Sequence, residues 1–153
     1  MRFSVPAALL LFMSVTIIPG RASNDSDDKT IDQRTIDALT IKASQAQPHE
    51  QCFLYAELVH QMTELSLRQY AAADVEKASG LLRQIQLLTH KIHISVSNDD
   101  KRLKNTEILL RRTAFRLSQM LHSSSSDDRQ LVQETLSQVN QAETEAMMQV
   151  FRK

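Results

Sequence analysis

The sequence predicts an all-α fold: an antiparallel up-down-up-down four-helix bundle with an additional short N-terminal helix. Three observations lead there. Only 2 Gly and 3 Pro occur in 153 residues, so few positions break a helix. Runs of β-branched residues are scarce, and aromatic residues make up 5% with no Trp. Four stretches of about 22 to 25 residues, each about 35 Å long as a helix, carry apolar residues at three- and four-residue spacing. The polar connections between them are short, which favours antiparallel neighbours. The length suffices for one domain with a core, expected over residues 30–153.

The first 22 residues are set apart from that domain. Met1-Arg2-Phe3-Ser4 carries one positive charge, Val5 to Ile18 is an apolar run, and Gly20 and Ala22 precede Ser23. This is the layout of a cleavable secretory signal peptide over residues 1–22. The apolar run, about 14 residues, falls short of the roughly 20 that span a bilayer, which weighs against the competing reading as an uncleaved signal anchor. No cysteine follows the run, which argues against a lipoprotein. The expected protein is exported, periplasmic or secreted, with no stable membrane span after cleavage. Removing Arg2 and Arg21 leaves 16 basic against 18 acidic residues, a net charge of −2. So small an imbalance implies neither a polyanionic nor a polycationic partner, and no nucleic acid. Residues 23–29, Ser-Asn-Asp-Ser-Asp-Asp-Lys, read as a flexible polar N-terminus.

The short first helix is expected over Thr30 to Ala46, from the spacing of Ile31, Ile36, Leu39 and Ala43. Pro48 ends it or opens the next. The helix from His49 to Ala73 has Leu54, Tyr55, Leu58, Val59, Met62 and Leu65 as its main apolar stripe. Phe53, His60 and Leu67, seven apart, form a second stripe nearly opposite. Glu57, Glu64 and Arg68 fill the polar side, the last two in the favourable order. Ala71-Ala72-Ala73-Asp74 reads as a tight break with Asp74 as cap. Val75 to Val96 follows, with Val75, Ala78, Leu81, Leu82, Ile85, Leu88, Ile92 and Val96 on one side and Leu87 and Ile94 behind. Gly80 lies inside it and weakens it.

The central helix runs from the Asn98-Asp99-Asp100 cap to about His122. Leu103, Leu110, Ala114, Leu117 and Leu121 form its stripe, widened by Thr106 and Thr113, and Ile108 and Phe115 stand nearly opposite. A polar loop, His122 to Ser126, holds the Ser125-x-x-Asp128 capping pattern. The last helix reaches about Phe151 on Val132, Leu136, Val139, Ala142, Ala146, Met147 and Val150. Ala72 to Ala78 resembles the turn of a tetratricopeptide repeat. The helix spacing does not sustain that 34-residue period, so a repeat array is set aside.

Each candidate for chemistry has a bland counterpart. Glu57 and His60 form one Glu-x-x-His, the pair that di-iron bundles carry on two helices, but no second copy exists. His90 and His93 could share a helix face, and Gln86 and Glu57 could be imagined beside His90 around a metal. Exposed histidines are the simpler reading. No haem-attachment motif is present, and Met62, Met120, Met147 and Met148 read as core filler. Glu107 and Glu143 interrupt apolar stripes. They form either a functional carboxylate pair or edge residues that meet Arg111, Arg112 or Arg116. Cys52 reads as a buried apolar residue ahead of an intermolecular disulfide; His49 is near, but no nucleophile site surrounds it. The basic residues of the central helix are spread around it and are expected to pair within the chain.

The function expected from these residues is non-enzymatic: a bundle that acts by protein–protein contact or self-association through helix faces. No cofactor or metal ligand set is assigned. The expected interaction face comprises Phe53, His60, Leu67, Leu87, Ile94, Ile108 and Phe115, because a single bundle buries one face per helix. The rival class is a periplasmic metal- or haem-binding bundle.

Overall fold

In the computed structural model, which describes residues 31–96 and 102–152, every regular element is a helix. The expected signal peptide (1–22), the polar segment 23–29 and the Asn98-Asp99-Asp100 cap lie outside the described residues. The helices are α1 (Gln33–Gln45), α2 (Pro48–Ala71), α3 (Val75–Ser95), α4 (Leu103–Ser123) and α5 (Ser126–Phe151). No strand occurs among the described residues, and no helix there is long and apolar enough to cross a membrane.

The ends of the helices follow from local chemistry. Asp32 caps α1 by accepting the Thr35 amide at 2.8 Å, so α1 starts three residues later than its apolar spacing implied. Pro48 opens α2, where its missing amide costs nothing. The break after α2 is as tight as expected: Ala73 takes a left-handed φ of 61° and the Asp74 amide returns to the Gln69 carbonyl at 2.9 Å. Asp74 then caps α3 through the Lys77 amide. The start of α4 expected at Asp99 is corrected to Leu103. Arg102 holds the N-cap position and makes no side-chain cap hydrogen bond. Ser125 caps α5 through the Asp128 amide, but the reciprocal half of the capping box is replaced: the Ser125 amide donates to the Tyr70 hydroxyl at 2.8 Å. That bond ties the start of α5 to the end of α2.

Packing joins α2 to α3 and to α4, α5 to both α3 and α4, and α1 to α2. Leu58, Met62, Leu82, Ile85, Leu110 and Leu117 are among the fully buried side chains at the centre. Cys52 is buried there too, as are Met62 and Met120, whereas Met147 is half-buried and Met148 exposed. Val75, expected in the α3 stripe, is exposed at the first position of that helix. Thr63, Thr89, Thr113 and Thr135 are buried without loss because each hydroxyl donates to the carbonyl four residues back, at 2.7 to 2.9 Å.

Contacts between helices are specific. The Ser66 hydroxyl near the end of α2 meets the Ala78 carbonyl near the start of α3 at 3.1 Å. Between α2 and α4, the Arg102 guanidinium lies 4.8 Å above the Phe53 ring, His60 meets Thr113 at 3.1 Å and Glu64 meets Arg116 at 2.6 Å. Between α3 and α5, Gln86 meets Thr135 at 3.0 Å and His93 meets Glu145.

Candidate interaction grooves

Two grooves run along the packed helices and hold five of the seven residues of the predicted face; Leu67 and Ile94 line neither. The α2/α4 groove consists of two adjoining hollows of about 420 and 440 Å³ that share His60 and Arg112. Phe53, Glu57, Asn105 and Ile108 help to line one, and Arg111, Phe115 and Arg116 line the other. The α3/α5 groove holds Gln86, Leu87, His90, His93, Gln138 and Glu145.

Phe53, His60, Leu67 and Ile108 are half-buried within the chain itself, and Leu67 packs against the core. These four therefore do not stand free for an outside partner as the heptad spacing alone implied. The stripe count placed Phe53 and His60 opposite the α2 core, but α4 sits far enough round α2 to cover part of that side. Leu87, Ile94 and Phe115 behave otherwise. They are 70%, 63% and 63% exposed, and none of the described helices covers them.

His60 shows how the α2/α4 groove is wired. The Thr113 hydroxyl already donates to the Leu109 carbonyl at 2.9 Å, so at His60 the Nδ1–H donates to the Thr113 oxygen. Burial holds the imidazole below its ordinary value; Glu64 opposes this, and Arg112 and Arg116 add to it. Arg116 grips Glu64 with two nitrogens, at 2.6 and 2.9 Å, and this pair raises the guanidinium still further. Arg111 bonds Glu107 on its own helix and reaches Glu143 of α5 at 3.4 Å. Glu107 and Glu143 are thus joined by one guanidinium, the bland reading of that pair. Glu107 goes deeper than a stripe-edge residue, at 7% exposed. Arg112 is exposed and makes no side-chain hydrogen bond or ion pair with another described residue.

The histidines of the other groove are arranged differently. His90 stacks on His93 with ring centres 6.3 Å apart, and His93 Nδ1 meets the Glu145 carboxylate. The imagined grouping of Glu57 with Gln86 and His90 is overturned, because Glu57 lines the α2/α4 groove and the other two line the α3/α5 groove. Among the described residues, no three His, Cys, Asp or Glu side chains are placed to hold a metal ion. The sequence reading missed Arg112 as an uncommitted cation of the α2/α4 groove and Tyr70 as a cap donor's partner. The scattering of basic residues around α4 carried a signal for the first, and nothing local carried one for the second. Compared with protein-family models, curated proteins and solved structures, the chain finds no match in any of the three.

Proposed function

We propose that this is an exported, non-enzymatic helical-bundle protein that acts through contacts made by its helix faces. The observation that supports this reading is the exposure of Leu87, Ile94 and Phe115, each above 60%, on helices whose other faces are already buried. The signal-peptide layout of residues 1–22 supports export. N-terminal sequencing of the protein from the exported fraction tests it, with Ser23 as the expected first residue.

The bundle is read as up-down-up-down in direction, built from two hairpins, α2/α3 and α4/α5, laid side by side. Residue numbers rise together where α2 meets α4 (53 with 102, 60 with 113, 64 with 116) and where α3 meets α5 (86 with 135, 93 with 145). In this reading the neighbours within each hairpin are antiparallel and the two hairpins pack in the same sense.

Sedimentation of the mature protein and pull-down from the exported fraction, with Phe115→Asp as control, test the functional reading. A dimer or a captured protein that the substitution abolishes is the expected outcome. A strict monomer that captures nothing overturns it. Stoichiometric metal, or a haem absorption band, in protein purified without chelator would replace it with the rival class.

A further inference from the structure

The α3/α5 groove is a hollow of about 450 Å³ in which Glu145 is the one lining residue with a formal charge. Its carboxylate is held at both oxygens. Oε1 accepts from the Gln141 side-chain amide at 3.2 Å, and Oε2 meets Nδ1 of His93. An ionised carboxylate can only accept, so the proton of that contact sits on Nδ1 and the Nε2 lone pair of neutral His93 is left free. A carboxylate on the far nitrogen is the outer-shell arrangement that orients a histidine towards a metal ion.

His90 stands three residues earlier on α3, exposed and without a hydrogen bond to another described residue. Residues three apart share a helix face. The two ring centres are 6.3 Å apart, with their planes at 25°. Metal–nitrogen bonds of about 2.0–2.1 Å put two imidazoles on one ion with ring centres roughly 5 to 6.5 Å apart, so the pair fits at the wide end of that range. The groove gives the Glu145–His93 pair no nucleophile to activate. Thr89, the hydroxyl in the lining, donates to the Ile85 carbonyl at 2.8 Å.

We propose that His90 and His93 form a two-histidine site for a borderline divalent transition-metal ion, of the copper(II), nickel(II) and zinc(II) class. Glu145 of α5 orients His93, and water or an incoming donor completes the coordination. Imidazole nitrogen suits these ions, and a calcium or magnesium ion would need oxygen ligands in their place. The site goes beyond the helix-face reading and does not depend on it. With two protein ligands open to water it exchanges its ion with solution, unlike the resident metal that the rival class requires.

The test uses the full mature chain, dialysed against chelator and then titrated with Cu²⁺, Ni²⁺, Zn²⁺ and Mg²⁺ by calorimetry. One equivalent of Cu²⁺ should bind, more tightly than Ni²⁺ or Zn²⁺, and Mg²⁺ should not bind. His90→Ala and His93→Ala should each weaken Cu²⁺ binding by about tenfold or more. Glu145→Gln, a change at a positioning residue, should weaken it by about tenfold. His49→Gln and His122→Gln, exposed histidines elsewhere, should leave it unchanged. Circular dichroism checks that every variant keeps its helix content. Electron paramagnetic resonance of the copper complex should show two nitrogen donors in the parent and one in either alanine variant. Saturating Cu²⁺ should raise the thermal midpoint of the parent and not of the double alanine variant. Cu²⁺ binding that ignores His90→Ala or His93→Ala overturns the proposal, as does binding that His49→Gln or His122→Gln abolishes. If Glu145→Gln lowers stability and leaves the copper affinity unchanged, the Glu145–His93 contact is an interhelical tie only and the proposal falls. An ion that survives dialysis against chelator also overturns it, because an exchanging site cannot retain one.

Discussion

Two side chains, His60 and Arg111, each make a testable electrostatic difference alone. His60 is held below its ordinary value of 6.5, chiefly by burial, in a setting that also contains Glu57, Glu64, Arg112 and Arg116. The unfolded chain therefore binds a proton at His60 at a pH where the folded chain does not. The associated stability is complete above about pH 6.5 and is lost as pH falls towards the folded value. Urea midpoints at pH 7.5 and 5.5 should show a larger loss for the parent protein than for His60→Gln; identical losses would show that His60 does not titrate differently on folding. Arg111 is the second. Its side chain is 63% exposed, but the Glu107 side chain that it bonds is 10% exposed. Arg111→Met leaves that largely buried carboxylate without its cation and should cost about 1–2 kcal/mol in urea unfolding, the exposed end of the pair keeping the figure low. Adding Glu107→Gln to that variant should restore part of the loss. The sequence made this pairing legible, since a carboxylate inside an apolar stripe with arginines near it has few other outcomes. It did not reveal that one guanidinium serves both Glu107 and Glu143, because that depends on how α4 and α5 are rotated against each other.

Most helix ends were legible to within three residues, because each end reflects a local preference; the start of α4, at Leu103 and not Asp99, was not. Asp74 and Ser125 are where a cap is favoured, and Pro48 is where a proline is harmless. The exceptions have physical causes. Apolar spacing cannot see that Asp32 supplies the oxygen that starts α1. The two least favourable backbone choices in the described chain sit close together. Ala73 is the one described residue other than glycine with a positive φ, and Gly80 lies in α3 where a Cβ would meet nothing within 4 Å beyond its chain neighbours and the local helix backbone. Ala73→Gly should therefore stabilise the protein by relieving left-handed strain, about 0.5–1 kcal/mol after the added freedom of the unfolded chain. Gly80→Ala should stabilise it by a similar amount, about 0.5–1 kcal/mol, for the opposite reason. Thermal unfolding of the single and double variants checks both, and the effects should add, since a loop and a helix surface are involved. A loss of stability in Gly80→Ala would mean that α3 needs the open space beside it.

At the scale of the whole molecule, local pattern stops deciding. Apolar stripes say which side of each helix is buried, but not which helices become neighbours, and this is why the half-burial of Phe53 and His60 by α4 was not legible. The arrangement proposed above, two hairpins side by side, has α3 and α5 running in the same direction, and this can be tested with pairs of cysteines. Gln86 meets Thr135. If α5 ran against α3, the residue seven positions after Gln86, His93, would face the residue seven before Thr135, Asp128. In the structure His93 instead meets Glu145, and along α5 these two positions are about 25 Å apart. A disulfide requires Cα atoms within about 7 Å, so only one of the two pairs can close. Under mild oxidation His93→Cys with Glu145→Cys should form an intramolecular bond, seen as faster migration on non-reducing electrophoresis, and His93→Cys with Asp128→Cys should not. Cys52 is buried and should not compete. Closure of the second pair in place of the first would reverse α5 relative to α3. It would also separate the histidine stack from Glu145 and remove the basis for the metal site proposed above.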